Sequence, residues 1–393
     1  MAGISARGHL IQAYFQHGDR LKALEVNTMN ILTNPSFIDE TFNTNKPNFG
    51  LPGYYYFSDK IFAHEQQTIW RNTWQFVGRE SVLSAPGDYL TCEVGDQPMF
   101  VIRTHNGELR AMHNVCPHRG ARILEGQGHC QQVRCPYHGW NFNWEGNIKG
   151  LPRAECFPNL DKSAVHLLMG RVETWGGFIF VHPELEGESL VSYLAGFPAY
   201  LEQYQHPWEE LQEVDHWFYE EPANWKFPIE NYLECYHLSV VHAQSLKCFD
   251  ARNITYTPTG QHYQIFVPFT DEEFVKDHPA FSGEPRGESY QGFIFPNMMV
   301  NTARDKVSVF RLTPLSPTIT KFEVFIYQTK AQIEAFPYNH DDFRPEFERV
   351  LNEDFRVVRS LQASVHSKAY GVLQLADIEY GITHFHQVLS EYY

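Results

Sequence analysis

Two short segments, Cys116-Pro-His118-Arg-Gly120 and Cys135-Pro-Tyr-His138-Gly-Trp140, each contribute one thiolate and one imidazole. They read C-x-H, a gap of sixteen residues, then C-x-x-H. This donor set suits a [2Fe–2S] cluster with two Cys on one iron and two His on the other. The neutral imidazoles raise the potential above that of an all-Cys cluster, so the centre takes electrons from a mild donor and passes them on. Two Cys and two His also make a tetrahedral zinc site, but zinc fingers pair Cys with Cys and His with His. Here each segment is mixed, and Pro117, Gly120, Pro136 and Gly139 stand beside the ligands. Such loops turn backbone N–H groups toward sulfur, which favours the iron–sulfur reading.

A second constellation lies downstream, in Asn224-Trp-Lys-Phe-Pro-Ile-Glu-Asn231-Tyr-Leu-Glu234-Cys-Tyr-His237-Leu-Ser-Val-Val-His242. Two His with one carboxylate and open positions make the facial triad of Fe(II) oxygenases. Glu234 and His237 are three apart and share a helix face on a continuous helix. His237 and His242 are five apart, about 140° around a regular helix. Both reach one metal only if the helix breaks, and a break is expected near Ser239–Val241.

The elements that must position these groups fall into three regions. Residues 1–45 form an extension, with a possible helix over His9–Leu24. Residues 46–185 open with a helix capped by Ser58 and continue as short strands and turns, among them a hairpin at Asn106-Gly107 and a turn at Asn143–Gly146. The first ligand set then sits at the loop tips of a small all-β domain. Residues 186–393 alternate strands (217–219, 262–268, 292–295, 298–301, 307–314, 321–327) with helices near 189–205, 224–240, 344–370 and 385–391. That pattern reads as α+β, an antiparallel sheet with covering helices, helix-grip-like.

The two constellations together resemble the large (alpha) subunit of the Rieske-type non-haem iron oxygenases, over roughly residues 48–391. The resemblance implies that Cys116, His118, Cys135 and His138 bind a Rieske [2Fe–2S] cluster, and that His237 and His242 bind a mononuclear Fe(II). It puts the third ligand in an acidic pair eight residues before a Gln or Glu, which is Asp354 here, with Glu353 the alternative and Asp341 or Asp342 more distant ones. It makes Glu234 the catalytic carboxylate that links His237 to His138 of a neighbouring subunit, and gives Asn231 of the same motif a catalytic place. Many relatives carry Asp where this chain has Glu234. The family activates O₂ at the mononuclear iron with electrons relayed through the cluster. No G-x-G-x-x-G or C-x4-C-x2-C pattern occurs, so NAD(P)H acts through a separate flavin or ferredoxin-type reductase. A ring homo-oligomer, a trimer, is implied.

The Glu234-Cys-Tyr-His237 form looks most like the branch acting on quaternary ammonium compounds, the carnitine, glycine betaine and proline betaine oxygenases. Hydroxylation beside nitrogen, with or without N-dealkylation, is the expected reaction. Aromatic-ring hydroxylation or O-demethylation is the alternative, and a pure electron carrier would lack the second constellation. Tyr232, Tyr236, Tyr290, Phe293, Phe295 and Phe310 are candidate faces for a cation.

Composition agrees with these expectations. The chain has 393 residues, 43% of them hydrophobic, and a net charge of −16. That charge argues against nucleic acid or an anionic membrane as partner. No apolar run approaches a membrane span. Cys92, Cys130, Cys156, Cys235 and Cys248 read as reduced thiols of a cytoplasmic protein.

Overall fold

The computed structural model describes residues 49–202, 207–269, 288–303, 305–371 and 373–393. The extension over 1–45 and its expected helix lie outside the described residues. The first ten strands are β1 (Gln75–Arg79), β2 (Asp88–Val94), β3 (Gln97–Arg103), β4 (Leu109–His113), β5 (Gln127–His129), β6 (Val133–Arg134), β7 (Asn141–Phe142), β8 (Ile148–Gly150), β9 (Met169–Trp175) and β10 (Phe178–His182). Seven of them form one antiparallel sheet in the order β1-β10-β9-β4-β3-β2-β5, and β6-β7-β8 form a small second one. The expected turns are present. Gly107 (φ 85°) joins β3 to β4, and Gly146 (φ 83°) closes the Asn143 turn between β7 and β8. The ligand loops leave β4 and β6.

The remaining strands are β11 (Gln212–Glu221), β12 (Thr255–Thr259), β13 (His262–Pro268), β14 (Glu288–Ile294), β15 (Met298–Thr302), β16 (Val307–Ser316) and β17 (Ile319–Gln328). They form one antiparallel sheet in the order β11-β17-β16-β15-β14-β13-β12. Its two faces read directly from the period-2 alternation of a strand. Phe322, Val324 and Ile326 of β17 point into one core with Phe310 and Met299. Phe325 and Tyr327 point to the other side, with Val300, Val307 and Val309. The second face packs on Phe76, Phe178 and Phe180 of the first sheet, so this sheet is buried on both sides. Asn297 ties the two regions further, accepting from Phe76 N–H and donating to Phe76 C=O, both at 3.1 Å.

Helices cover the other face: α1 (Asp59–Glu65), α2 (Lys226–Tyr232), α3 (Leu238–Val241), α4 (His340–Ser364) and α5 (Tyr380–Ser390). Ser58 caps α1 by accepting from Ile61 N–H. Sequence order groups α1 with the cluster-bearing region, but its packing is elsewhere. Tyr55, Tyr56, Ile61, Ile69 and Trp70 enter the core beneath α2 and α4. The cause is a buried ion pair between Glu65 and Lys226 at 2.6 Å, with Trp225 Nε1 donating to the same carboxylate. An unpaired charge at that depth would be strongly destabilising.

Helix α4 starts four residues before its expected position because Asn339 caps it, accepting from Asp341 N–H. Its buried stripe is Phe343, Leu351, Phe355, Val358 and Gln362. Gln362 clamps α4 onto the start of α2, its Oε1 accepting from Asn224 N–H at 2.7 Å. The 189–205 helix is two pieces, Leu190–Tyr193 and Phe197–Glu202, and 203–206 lie outside the described residues. No helix among the described residues is long and apolar enough to cross a membrane.

Candidate active site

The two loops that carry Cys116 and Cys135 have the same backbone construction. Gly120 N–H donates to Cys116 C=O at 2.9 Å and Gly139 N–H to Cys135 C=O at 3.0 Å. Cys116 N–H bonds Ala121 C=O, and Cys135 N–H bonds Trp140 C=O. Gly120 and Gly139 share φ 73°, a left-handed conformation that only glycine adopts freely. Both thiols are buried. Burial pushes the Cys116 thiol up, while the N–H groups of His118 and Arg119, aimed at its sulfur, pull the other way. Those donors suit a thiolate or a bridging sulfide.

The imidazoles of His118 and His138 lie 4.6 Å apart, and His118 stacks flat on Trp140 at 4.8 Å. His118 Nδ1 is buried with no hydrogen-bond partner. A buried nitrogen with no protein partner beside two thiols fits a metal ligand. The residues present therefore fit a Rieske cluster.

The second set converges on one point from two elements. His237, His242 and Asp354 each offer a ligand atom, all within 4.8 Å of one another. Asp354 Oδ1 is 2.8 Å from His242 Nε2 and 3.5 Å from His237 Nε2. His242 is buried, His237 and Asp354 nearly so. Burial opposes charge on His242, but the carboxylates of Asp354 and Glu353 hold its proton affinity above the ordinary value. Two imidazole nitrogens and one carboxylate on one side of an open cavity suit a facial-triad iron.

The backbone reaches this arrangement differently from expectation. The helix breaks once before His237, where no break was expected, and the turn that follows ends at Val241, at the edge of the expected break. Helix α2 ends at Tyr232, and α3 is one turn capped by His237 at its start and His242 at its end. Glu234 thus shares no helix with His237. Its carboxylate accepts the N–H of Tyr236 and of His237, and these side-chain bonds replace the helical ladder. The same carboxylate meets His237 Nδ1 at 2.5 Å. Asp341 and Asp342 sit in the exposed first turn of α4, more than two turns from Asp354. Glu353 faces His242 Nδ1 at 2.7 Å and stands outside the triad.

Similarity to known proteins matches this geometry. Residues 73–165 match the Rieske [2Fe-2S] domain, and residues 208–393 match the ring hydroxylating alpha subunit (catalytic domain). The glycine betaine monooxygenase oxygenase subunit of Pseudomonas aeruginosa PAO1 is 32% identical, over 82% of this chain and 84% of its own length. This chain belongs to the Rieske oxygenases. The carnitine monooxygenase oxygenase subunit of Escherichia coli K12 is 28% identical, covering 91% of this chain and 98% of that protein. A solved quaternary ammonium Rieske monooxygenase, described for carnitine oxidation by gut microbiota, superposes with TM-score 0.79 at 25% identity, over 89% of this chain and 96% of its own. The Rieske oxygenase is therefore an O₂-using oxidoreductase with a [2Fe–2S] cluster and a mononuclear iron, acting on a small molecule and reduced by NAD(P)H through a separate reductase.

The cavity beside the triad separates the aromatic candidates. Tyr232 and Phe310 line it, together with Phe249, Phe322, Phe347 and Phe355. Phe293 and Phe295 instead pack on Phe385, Tyr290 on Phe266, and Tyr236 is 61% exposed. Asn231 lines the cavity one turn before Glu234. Cys235 lines it too, its thiol pushed up to about 12 by burial.

Gly381 supplies a contact that no motif announced. A Cβ there would stand 2.1 Å from Leu233 C=O, at the break that aims Glu234 and His237. Gly381→Ala should therefore lower stability by about 1–3 kcal/mol. Mononuclear iron occupancy should fall while the cluster spectrum stays intact. Thermal unfolding and iron analysis check this, and unchanged Tm and iron would mean that α5 shifts without disturbing the break.

Proposed function

We propose that this Rieske oxygenase hydroxylates a carbon beside the nitrogen of a small quaternary ammonium or N-methylated substrate. The observation that carries the reading is the wall of the iron-side cavity. The cavity measures about 190 Å³, well below the size of a drug-sized site. Apart from the triad and Glu234, its one charged lining side chain among the described residues is Lys306, ion-paired with Asp305 at 2.5 Å. Tyr232, Phe310, Phe322 and Phe347 line it instead, and aromatic rings attract a cation that cannot donate hydrogen bonds. Relatives named for carnitine and glycine betaine support the same class.

His237, His242 and Asp354 would hold the iron, and Cys116, His118, Cys135 and His138 the cluster. Iron bound there supplies activation of O₂ beside the substrate. Glu234 keeps the proton of His237 on Nδ1 and leaves Nε2 for the metal. The aromatic walls hold the N-methyl group toward the triad and keep bulk water out. One oxygen atom enters the C–H bond, and two electrons and two protons reduce the other to water. A hydroxylated N-methyl then parts as formaldehyde, a tertiary amine and a proton.

A head-to-tail trimer completes this reading, with His138 of one chain meeting Glu234 of the next. Large apolar side chains are exposed beside both groups: Tyr137 at the cluster tip, and Tyr236, Val240 and Tyr380 beside Glu234. Exposed patches of this kind mark contact surfaces. A heterologous contact that closes makes a ring. The reductase is of the flavin or ferredoxin type. No two of the seven cysteines form a disulfide, and the five outside the cluster loops are free thiols, which supports a cytoplasmic location.

The test is a substrate panel with a reconstituted reductase, scoring formaldehyde and hydroxylated products. Quaternary ammonium compounds should be turned over. Turnover confined to neutral or anionic aromatic compounds would sink the proposal.

A further inference from the structure

Glu353 has no part in the ligand triad, yet it bonds directly to one of the ligands. Its Oε2 is 2.7 Å from Nδ1 of His242, a residue only 1% exposed. Ser245 Oγ donates to the same Oε2 and lies 3.3 Å from the same Nδ1. Arg349, one turn back on α4, approaches the other carboxylate oxygen at 3.5 Å. Both oxygens are thus occupied, and the carboxylate has a fixed direction.

We infer that Glu353 is a positioning residue for the iron site, holding the proton of His242 on Nδ1 so that Nε2 faces the metal. The inference rests on the ligand set proposed above. Its chemistry is simple. An ionised carboxylate can only accept, so a neutral imidazole facing it at this distance carries its proton on Nδ1. Asp354 faces Nε2 at 2.8 Å in the same way, so the choice follows from the ligand set: an Asp354 carboxylate committed to iron would leave Glu353 as the acceptor that holds the ring's proton, and Nε2 with its lone pair for the metal.

The arrangement on His237 is the same in kind but different in origin. Glu234 reaches His237 from three residues away along the chain. Glu353 reaches His242 from a distant helix, next to Asp354. Adjacent helical residues project about 100° apart. One turn of α4 therefore presents a ligand to the metal with Asp354 and an anchor to the back of a second ligand with Glu353. This explains an acidic pair where a single ligand would suffice. A surface acid serving only Arg349 would leave Oε2 in water, whereas here it lies against a buried ring.

The experiment strips the mononuclear iron with a chelator, keeps the cluster, and titrates Fe(II) back. Binding is read from the paramagnetic resonance of the ferrous site after nitric oxide is added. Wild type, Glu353→Ala, Glu353→Gln and Asp354→Ala are compared, with the visible cluster spectrum as a check on folding. Glu353→Ala should weaken Fe(II) binding by about 10–100-fold and alter the nitric oxide signal. Glu353→Gln keeps an acceptor oxygen and should fall between Ala and wild type. Wild-type affinity and signal in Glu353→Ala, beside loss of iron in Asp354→Ala, would overturn the inference alone. Wild-type affinity in Asp354→Ala would overturn the ligand set itself. Complete iron loss in both Glu353 variants would make Glu353 a ligand and also end the positioning role.

Discussion

His237→Ala should leave a protein that keeps the visible spectrum of its [2Fe–2S] cluster but holds about two Fe per chain in place of about three. Turnover should fall by on the order of a thousand-fold or more, about 4 kcal/mol of barrier. The reason is geometric. His237 and His242 bracket a single helical turn and meet one carboxylate from α4. Removing one imidazole leaves two protein ligands on opposite elements, too few to hold a facial site. The cluster loops leave two other sheets and keep their own hydrogen bonds. Iron analysis and single-turnover product yield measure the result. Persistent turnover with about three Fe per chain would place the mononuclear site elsewhere.

Glu234→Gln should keep both metal centres and slow the passage of electrons between them by roughly 10–100-fold. Gln fills the same volume and its oxygen can still accept the N–H of Tyr236 and His237, so the turn should hold. What disappears is the negative charge on His237 Nδ1 and, in the proposed trimer, the charge facing the next chain's cluster. Rapid-mixing measurement of cluster reoxidation, with substrate and O₂ present, reads that step directly. A wild-type rate would remove Glu234 from the electron route and leave it a turn-forming residue. The Glu234 carboxylate serves backbone and ring at once, so this one substitution separates the charge from the turn.

The strands were legible because they are short runs rich in apolar, β-branched and aromatic residues, as a sheet buried on both faces requires. The 262–268 strand appears at the same bounds, and 298–301, 307–314 and 321–327 fall within β15, β16 and β17. Strand β12 escaped because Thr255–Thr259 is mostly polar and lies at the sheet edge. The break before His237 was missed because turning angle was the only guide available. Its actual cause is Glu234 capturing two backbone N–H groups, with Gly381 of a remote helix packed against the same turn. The aromatic candidates were only partly separable, since pocket rings and core rings have the same composition.

Local spacing by itself determined the chemistry. Cys116, His118, Cys135 and His138 are set by short loops whose glycines need positive φ, and such loops are nearly self-contained. His237 and His242 are likewise close in the chain. The tertiary structure alone decided what joins them. Asp354 arrives from more than a hundred residues away, its register held by Gln362 on Asn224. It also decided that Glu353 turns behind His242 while Asp354 turns in front, and that α1 serves the iron region through Glu65 and Lys226. Those pairings depend on how helices rotate and cross, which many distant contacts fix together and no single stretch of chain encodes.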